Sequence, residues 1–236
     1  MRKELNLGFD IQAQPDDVTC GPTCLHALYN YYGDKISLKE VVKEVKQLKD
    51  GGTLAVMLGN HALKRGYKAY IYTYNLNVFD PTWFNDSSKQ MIKRLKEQMA
   101  FKNKRRKLQV ASRAYIKFLE SGGELRYGEL NDSLIKDYLK KSVPVLTGLS
   151  ATYLYGSSRE IPKFNVYDSI KGEPVGHFVV ISGYDEDANC VYLADPMEPN
   201  PIGKGQVYAV SFPRLVNSIL LGIVTYDANL LIIEPK

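Results

Sequence analysis

Long apolar runs, histidine and cysteine are scarce in this chain of 236 residues, and each scarcity excludes something. No apolar run approaches the ~18 residues a helix needs to cross a bilayer, so no membrane partner is expected. The first residues, Met1-Arg2-Lys3-Glu4-Leu5-Asn6, lack the apolar core of a signal peptide, and a cytoplasmic location is the expectation. Three cysteines are an odd number and do not build a disulfide framework. Three histidines and one Cys-x₃-Cys without a matching pair do not build a zinc site, so neither metal nor cofactor is expected. With 44% hydrophobic residues the chain can bury a full core, and its length favours a single domain over residues 1–236.

The most informative stretch is Gln14-Pro15-Asp16-Asp17-Val18-Thr19-Cys20-Gly21-Pro22-Thr23-Cys24-Leu25. Val18 and Thr19 favour extended backbone, Gly21 permits a tight turn, and Pro22 is preset for the start of a helix. Cys24, Leu25, Leu28 and Tyr29 then recur at helical spacing. Cys20 is thereby placed at a helix N-terminus, whose unpaired N–H groups favour a thiolate. Gln14 is an amide donor suited to a developing oxyanion. A cysteine alone is more often a small buried hydrophobe than a nucleophile. It becomes a candidate nucleophile when a histidine and an orienting group accompany it.

Gly176-His177-Phe178-Val179-Val180-Ile181-Ser182-Gly183-Tyr184-Asp185 and Cys190-Val191-Tyr192-Leu193-Ala194-Asp195-Pro196 supply both. They read as a β-hairpin with a turn over 185–189. Pairing of Tyr184 near Cys190 sets Asp195 opposite Val179, on the face of His177 and one diagonal step away. A shift of one residue would put His177 and Asp195 on opposite faces. Asp185, the rival acid, falls at the far tip.

These motifs, Gln14…Cys20-Gly21…Cys24-Leu25, then Gly176-His177-Phe178-Val179-Val180…Gly183-Tyr184, then Asp195-Pro196, resemble the bacteriocin-processing (double-glycine) peptidases and their standalone relatives among the papain-like cysteine peptidases. Gly51-Gly52-Thr53 before an apolar helix resembles that family's second helix, and the likeness covers roughly residues 8–75 and 143–235. Thr19 departs from the acid the family often carries before the nucleophile. The peptidase proper is fused to a membrane transporter, and no transporter follows here. The resemblance implies a papain-like α+β fold, with a helical half carrying the cysteine and an antiparallel sheet carrying histidine and aspartate. It also implies Cys20 as nucleophile, His177 as general acid/base, Asp195 as orienter of the imidazole, and Gln14 as oxyanion donor. The implied activity is hydrolysis of a peptide or small amide. The same groups would serve an acyltransferase that excludes water, and a non-enzymatic peptide-binding module is the third alternative.

Helical spacing further predicts helices over 21–32, 38–48 (Ser37 and Glu40 as a capping box), 54–65 (Thr53 as N-cap), a short helix to Lys141 capped by Asn131 or Asp132, and 212–221. Strands are expected over 67–74, 143–149 and 230–234. His26 and His61 lie within helices and read as structural. The segment from Ser150 to Arg159 has the small polar and aromatic composition of either a substrate loop or an ordered surface loop.

Lys89 to Arg113 holds ten Lys/Arg against one acid, Glu97, a net +9 in a chain of net +5, which leaves −4 for the rest. It reads as part of a basic helical insertion at about residues 80–142, between the cysteine half and the histidine half. Such a run is ordinarily a solvated face. It also suits an acidic substrate or partner, and without a nucleic-acid module DNA or RNA is the weaker match. Oligomeric state is not legible.

Overall fold

The alternating apolar residues of the C-terminal half build one large sheet in the computed structural model, which describes residues 3–49, 51–161, 164 and 166–236. Met1 and Arg2, part of the N-terminal run read above, lie outside the described residues. In chain order the elements are β1 (Glu4–Asn6), α1 (Cys20–Tyr31), α2 (Leu38–Glu44), α3 (Ala55–Lys64), β2 (Lys68–Thr73), α4 (Ser88–Phe101), α5 (Arg106–Glu120), β3 (Glu124–Arg126) and α6 (Asp132–Lys140). They continue with β4 (Val145–Ser150), α7 (Ala151–Tyr155), β5 (Glu160–Ile161), β6 (Val166–Tyr167), β7 (Gly176–Asp185), β8 (Cys190–Ala194), β9 (Val207–Ser211), α8 (Phe212–Leu221) and β10 (Asn229–Glu234).

The sheet runs β3-β2-β10-β4-β7-β8-β9, with β1 added beside β7. All its pairings are antiparallel except β2 with β3. Alternation divides each central strand between two apolar layers. Leu231 and Ile233 of β10 and Phe178 and Val180 of β7 face a core built with α1, α3, α4 and α5. Leu230, Ile232, Val179 and Ile181 face the opposite core, built with α6 and α8. The result is an α+β fold with the sheet sandwiched between helices.

Several predicted elements differ at their ends. The Ser37–Glu40 capping box is present, with Ser37 Oγ accepting from Glu40 N and Glu40 Oε2 accepting from Ser37 N. The helix stops at Glu44 rather than Leu48, because Val45 turns extended and buries in the core. Thr53 does not cap α3. Its hydroxyl donates to Lys46 O at 2.9 Å, and Leu54 occupies the cap position without a side-chain bond. Of the two candidate caps of α6, Asn131 serves, its Oδ1 accepting from Leu134 N. The 230–234 strand lies between β2 and β4 near the middle of the sheet. Within the basic stretch, α4 and α5 form a helical hairpin whose second helix is built into the core through Leu108, Ala111, Tyr115 and Phe118. β3, which follows it, joins the sheet.

Candidate active site

Cys20 is the first residue of α1, and no side chain caps that helix. Thr19, at the cap position, turns its hydroxyl back to Asp16 O at 3.1 Å, leaving the first-turn N–H groups of α1 without a side-chain acceptor. Gly21 permits the close fit of this terminus against the sheet. A Cβ there would stand 2.7 Å from Thr53 Cγ2 and 3.1 Å from a Phe178 ring carbon. The other two cysteines have different surroundings. Cys24 is fully buried, donates to Phe178 O at 3.2 Å, and has its thiol pushed well up by burial and then by the charges of Cys20 and Asp195. Cys190 is half-buried on β8, its thiol raised by burial and then by Asp185.

His177, the second residue of β7, and Asp195, just past β8, lie on one face of the hairpin for a reason other than the expected register. At the turn the pairs are Asp185–Cys190, Tyr184–Val191 and Gly183–Tyr192, one residue off the expected alignment. Continued without interruption, that register would set Asp195 opposite Val180 and turn it away from His177. The register shifts between Ile181 and Gly183, so that Ile181 pairs with Leu193 and Val180 with Ala194. The extra residue, Ser182, restores the predicted placement of Asp195. A β-bulge thus re-aims a side chain.

Asp195 Oδ1 meets His177 Nε2 at 2.8 Å, and Cys20 is near enough to the same imidazole to act on its charge. Oδ1 further accepts the backbone N–H of Met197 at 2.9 Å. Oδ2 accepts the hydroxyls of Tyr155 at 2.8 Å and Tyr208 at 2.6 Å. Asp195 is 0% exposed and meets four donors. Burial by itself would raise this carboxyl. The His177 charge and hydrogen bond, then those of Tyr208 and Met197, outweigh it and hold the group down at about 2. Burial would likewise lower His177, but the negative charges of Asp195 and Cys20 and the hydrogen bonds to both push it up to about 10. The pair favours an imidazolium held by the Asp195 carboxylate.

Gln14 is tied to the same place. Its backbone N–H donates to Pro196 O at 2.9 Å, which joins the Cys20 loop to the residue after Asp195. Its Nε2 donates to Asp16 O at 2.8 Å, folding the amide over the loop that ends at Cys20. Its Oε1 is buried without a partner. One Nε2 hydrogen is thereby occupied and the second is available.

Tyr155 and Tyr208 were not singled out by the sequence, in which seventeen tyrosines compete for attention. Tyr155 ends the short α7, inside the segment read as a substrate or surface loop. Tyr208 lies on β9, whose Val-Tyr-Ala-Val-Ser alternation is a strand signal that points it inward. His26 faces Asn30 and His61 accepts or donates with Tyr29 Oη at 2.8 Å, both away from this cluster. The described residues contain no group of three or more His, Cys, Asp or Glu able to hold a metal.

Residues 126–215, a segment that includes His177, Asp195, Tyr155 and Tyr208, match the family described as "Peptidase_C39 like family". That segment, less than half of the chain, is similar to the C39-like peptidases. Among curated proteins no sequence matches the chain. A crystal structure of a Bacillus anthracis protein described as a C39-like peptidase shares the papain-like fold, with a TM-score of 0.50 at 14% identity over 99% of this chain and 98% of that one. A double-glycine motif protease from an AMS/PCAT transporter, crystallised with the leader peptide, gives 0.47 at 14% identity over 98% and 94% of the two chains. The peptidase domain of Streptococcus ComA gives 0.45 at 16% identity over 97% and 99%. Cys20 and Gln14 lie outside the matched segment. No helix among the described residues is long and apolar enough to cross a membrane.

Proposed function

We propose that this chain is a cysteine peptidase of the C39-like kind, cleaving peptide bonds through Cys20, His177 and Asp195, with Gln14 completing the oxyanion site. The observation that carries the reading is the placement of His177. Its Nε2 is held by Asp195 at 2.8 Å, and the same ring feels Cys20, the residue that opens a helix. The Cys20 thiolate attacks the scissile carbonyl carbon, and the carbonyl electrons move onto oxygen. The backbone N–H of Cys20 and the second Nε2 hydrogen of Gln14 stabilise that oxyanion. Collapse breaks the C–N bond, and the leaving amine takes a proton from His177 Nδ1. Water, deprotonated by the now neutral His177, then attacks the thioester and releases the acid and the free thiol. Asp195 keeps the imidazole in one orientation and stabilises its charge throughout.

The test is a diverse peptide library incubated with the protein and read by mass spectrometry. New termini are expected with wild type and none with Cys20→Ala. Identical profiles from the two proteins would refute the assignment.

A further inference from the structure

Two buried carboxyls approach the strand that carries His177, and they are partnered unequally. Asp195 meets four donors. Asp227, just before β10, is 5% exposed and meets one: Thr225 Oγ1 donates to its Oδ2 at 2.6 Å. No donor reaches its Oδ1 among the described residues. The cleavage chemistry uses the first carboxyl and not the second. A buried acceptor that the protein leaves unpaired is open to a partner from outside.

The fold makes room for this group. A Cβ at Gly148 would stand 3.1 Å from Asp227 Oδ1, and one at Gly176 would collide with Oδ2. Tyr226 and Ala228, on either side of the aspartate, both hold positive φ, 74° and 32°. Side-chain-bearing residues rarely adopt that conformation, and such strain gathers at ligand sites. The acid also lies close to the nucleophile. The Phe178 ring would touch a Cβ on Gly21 at 3.1 Å and one on Gly148 at 2.9 Å, so a single ring separates the Cys20–Gly21 turn from the Asp227 pocket. Gly176 directly precedes His177. The titratable groups that face Asp227 are Lys107 and Tyr115 of α5 and His177 of β7. Lys107 is exposed, with its ammonium 5.7 Å from the centre of the Tyr226 ring, and forms no ion pair among the described residues.

We propose that Asp227 is a specificity-determining residue, whose carboxylate takes the cationic end of a lysine or arginine side chain of the substrate close to the bond cut at Cys20. The inference rests on the peptidase reading above. A cation answers both needs of the group, since it donates to the unpaired oxygen and neutralises a buried charge. A neutral donor answers only the first. At 5% exposure the carboxyl is reached by a slender chain, which lysine and arginine provide. Burial pushes this carboxyl up to about 7, against the Thr225 hydroxyl and the charges of Lys107 and His177. An arriving cation favours the ionised form, so selectivity for it grows as pH rises through about 7. His177, held up at about 10, keeps its charge over that interval, and burial keeps Tyr115 neutral.

Peptides that wild type cuts from the library are resynthesised with acetylated N-termini and with lysine or uncharged norleucine at each of the three residues on either side of the cut. At one of these positions kcat/KM at about pH 8 is expected to be ~10-fold or more higher for lysine, the scale of a hydrogen bond between charged groups. The ratio should shrink at about pH 6, and in Asp227→Asn it should fall to within about twofold at both pH values. No gain from lysine at any position in wild type, a gain that does not grow with pH, or one that survives in Asp227→Asn would overturn the subsite. A second measurement needs no cleavage. In Cys20→Ala protein the carboxyl carbon of Asp227, followed by NMR, should titrate at lower pH with Nα-acetyl-lysine methylamide than with its norleucine counterpart, and equal midpoints would overturn the subsite as well. A protein that cuts peptides without either charge effect loses only the subsite. One that shows the shifted titration but cuts nothing loses only the peptidase assignment.

Discussion

The β7–β8 hairpin and the α4–α5 hairpin each carry an unusual density of polar groups, and they treat them in opposite ways. In the first, His177 and Asp195 are buried and each oxygen of Asp195 has two partners. In the second, cations stand in solvent and only a few meet an acid, as Arg94 meets Asp86 and Lys93 meets Glu97 at 3.9 Å. Buried charges must be paired, because desolvation costs several kcal/mol per ion. Exposed ones need no partner and contribute ~0–1 kcal/mol when they find one. The first hairpin is consequently held in a single geometry fit for chemistry. The second keeps its charges hydrated and is under no such constraint.

The largest effect expected from breaking the first hairpin is that of His177→Ala. Turnover of any cleaved peptide should fall by about 10⁴-fold or more, since the proposed mechanism uses this one group as acid and base. Residual turnover within tenfold of wild type would move the chemistry elsewhere. Deleting Ser182 is a subtler break with a comparable outcome. Without the bulge the register of the turn runs on and Asp195 leaves the face of His177. The deletion should therefore remove activity, whereas Ser182→Ala, which keeps the residue count, should retain most of it. Kinetics of the two variants side by side, with circular dichroism to confirm folding, distinguish register from the hydroxyl.

Gln14→Ala is expected to cost ~10²–10³ in kcat with little change in KM, the signature of a donor that acts in the transition state. A rise in KM alone would make Gln14 a substrate contact instead.

The smallest effect concerns the tyrosine pair behind Asp195. Tyr208→Phe removes one donor to a buried carboxylate and should cost ~1.5–3 kcal/mol of stability at neutral pH. The sign with pH follows from the shifts. A carboxyl held at about 2 contributes stability that is complete above ~3.9 and is lost as pH falls through about 2. An imidazole raised to about 10 contributes stability that is complete below ~6.5 and is lost as pH rises through about 10. Loss of the Tyr208 hydroxyl should move the acid limb of unfolding to higher pH and leave the alkaline limb nearly in place. An acid limb that stays where it is would show that this hydroxyl does not hold the carboxylate.

The same contrast explains what could be read from the chain. Cys20 was legible because Gly21-Pro22 and the spacing of Cys24, Leu25 and Leu28 declare a helix start. His177 and Asp195 were legible as members of one hairpin. The reason they share a face was not, because a bulge is a long-range compromise. Gly183 inside an apolar strand was its one local trace. Thr53 looked like a cap because cap residues are recognised by type. Its hydroxyl found Lys46 O, offered by a loop that spacing does not describe. Tyr155 and Tyr208 are selected by tertiary approach to Asp195, and nothing in their immediate neighbours marks them among the other tyrosines. The basic run was plain in the sequence, but the apolar groove inside it exists only once α4 and α5 lie side by side.

The account stands most directly on the claim that His177 activates Cys20 and no other thiol. Limiting iodoacetamide at pH 6.5, quantified per cysteine by mass spectrometry in native wild type and in His177→Ala, measures it. Wild type should be alkylated at Cys20 far ahead of Cys190, with Cys24 protected, and His177→Ala should lose that lead while remaining folded. Equal labelling of the three cysteines in wild type, or a Cys20 rate unchanged by the loss of His177, would contradict it.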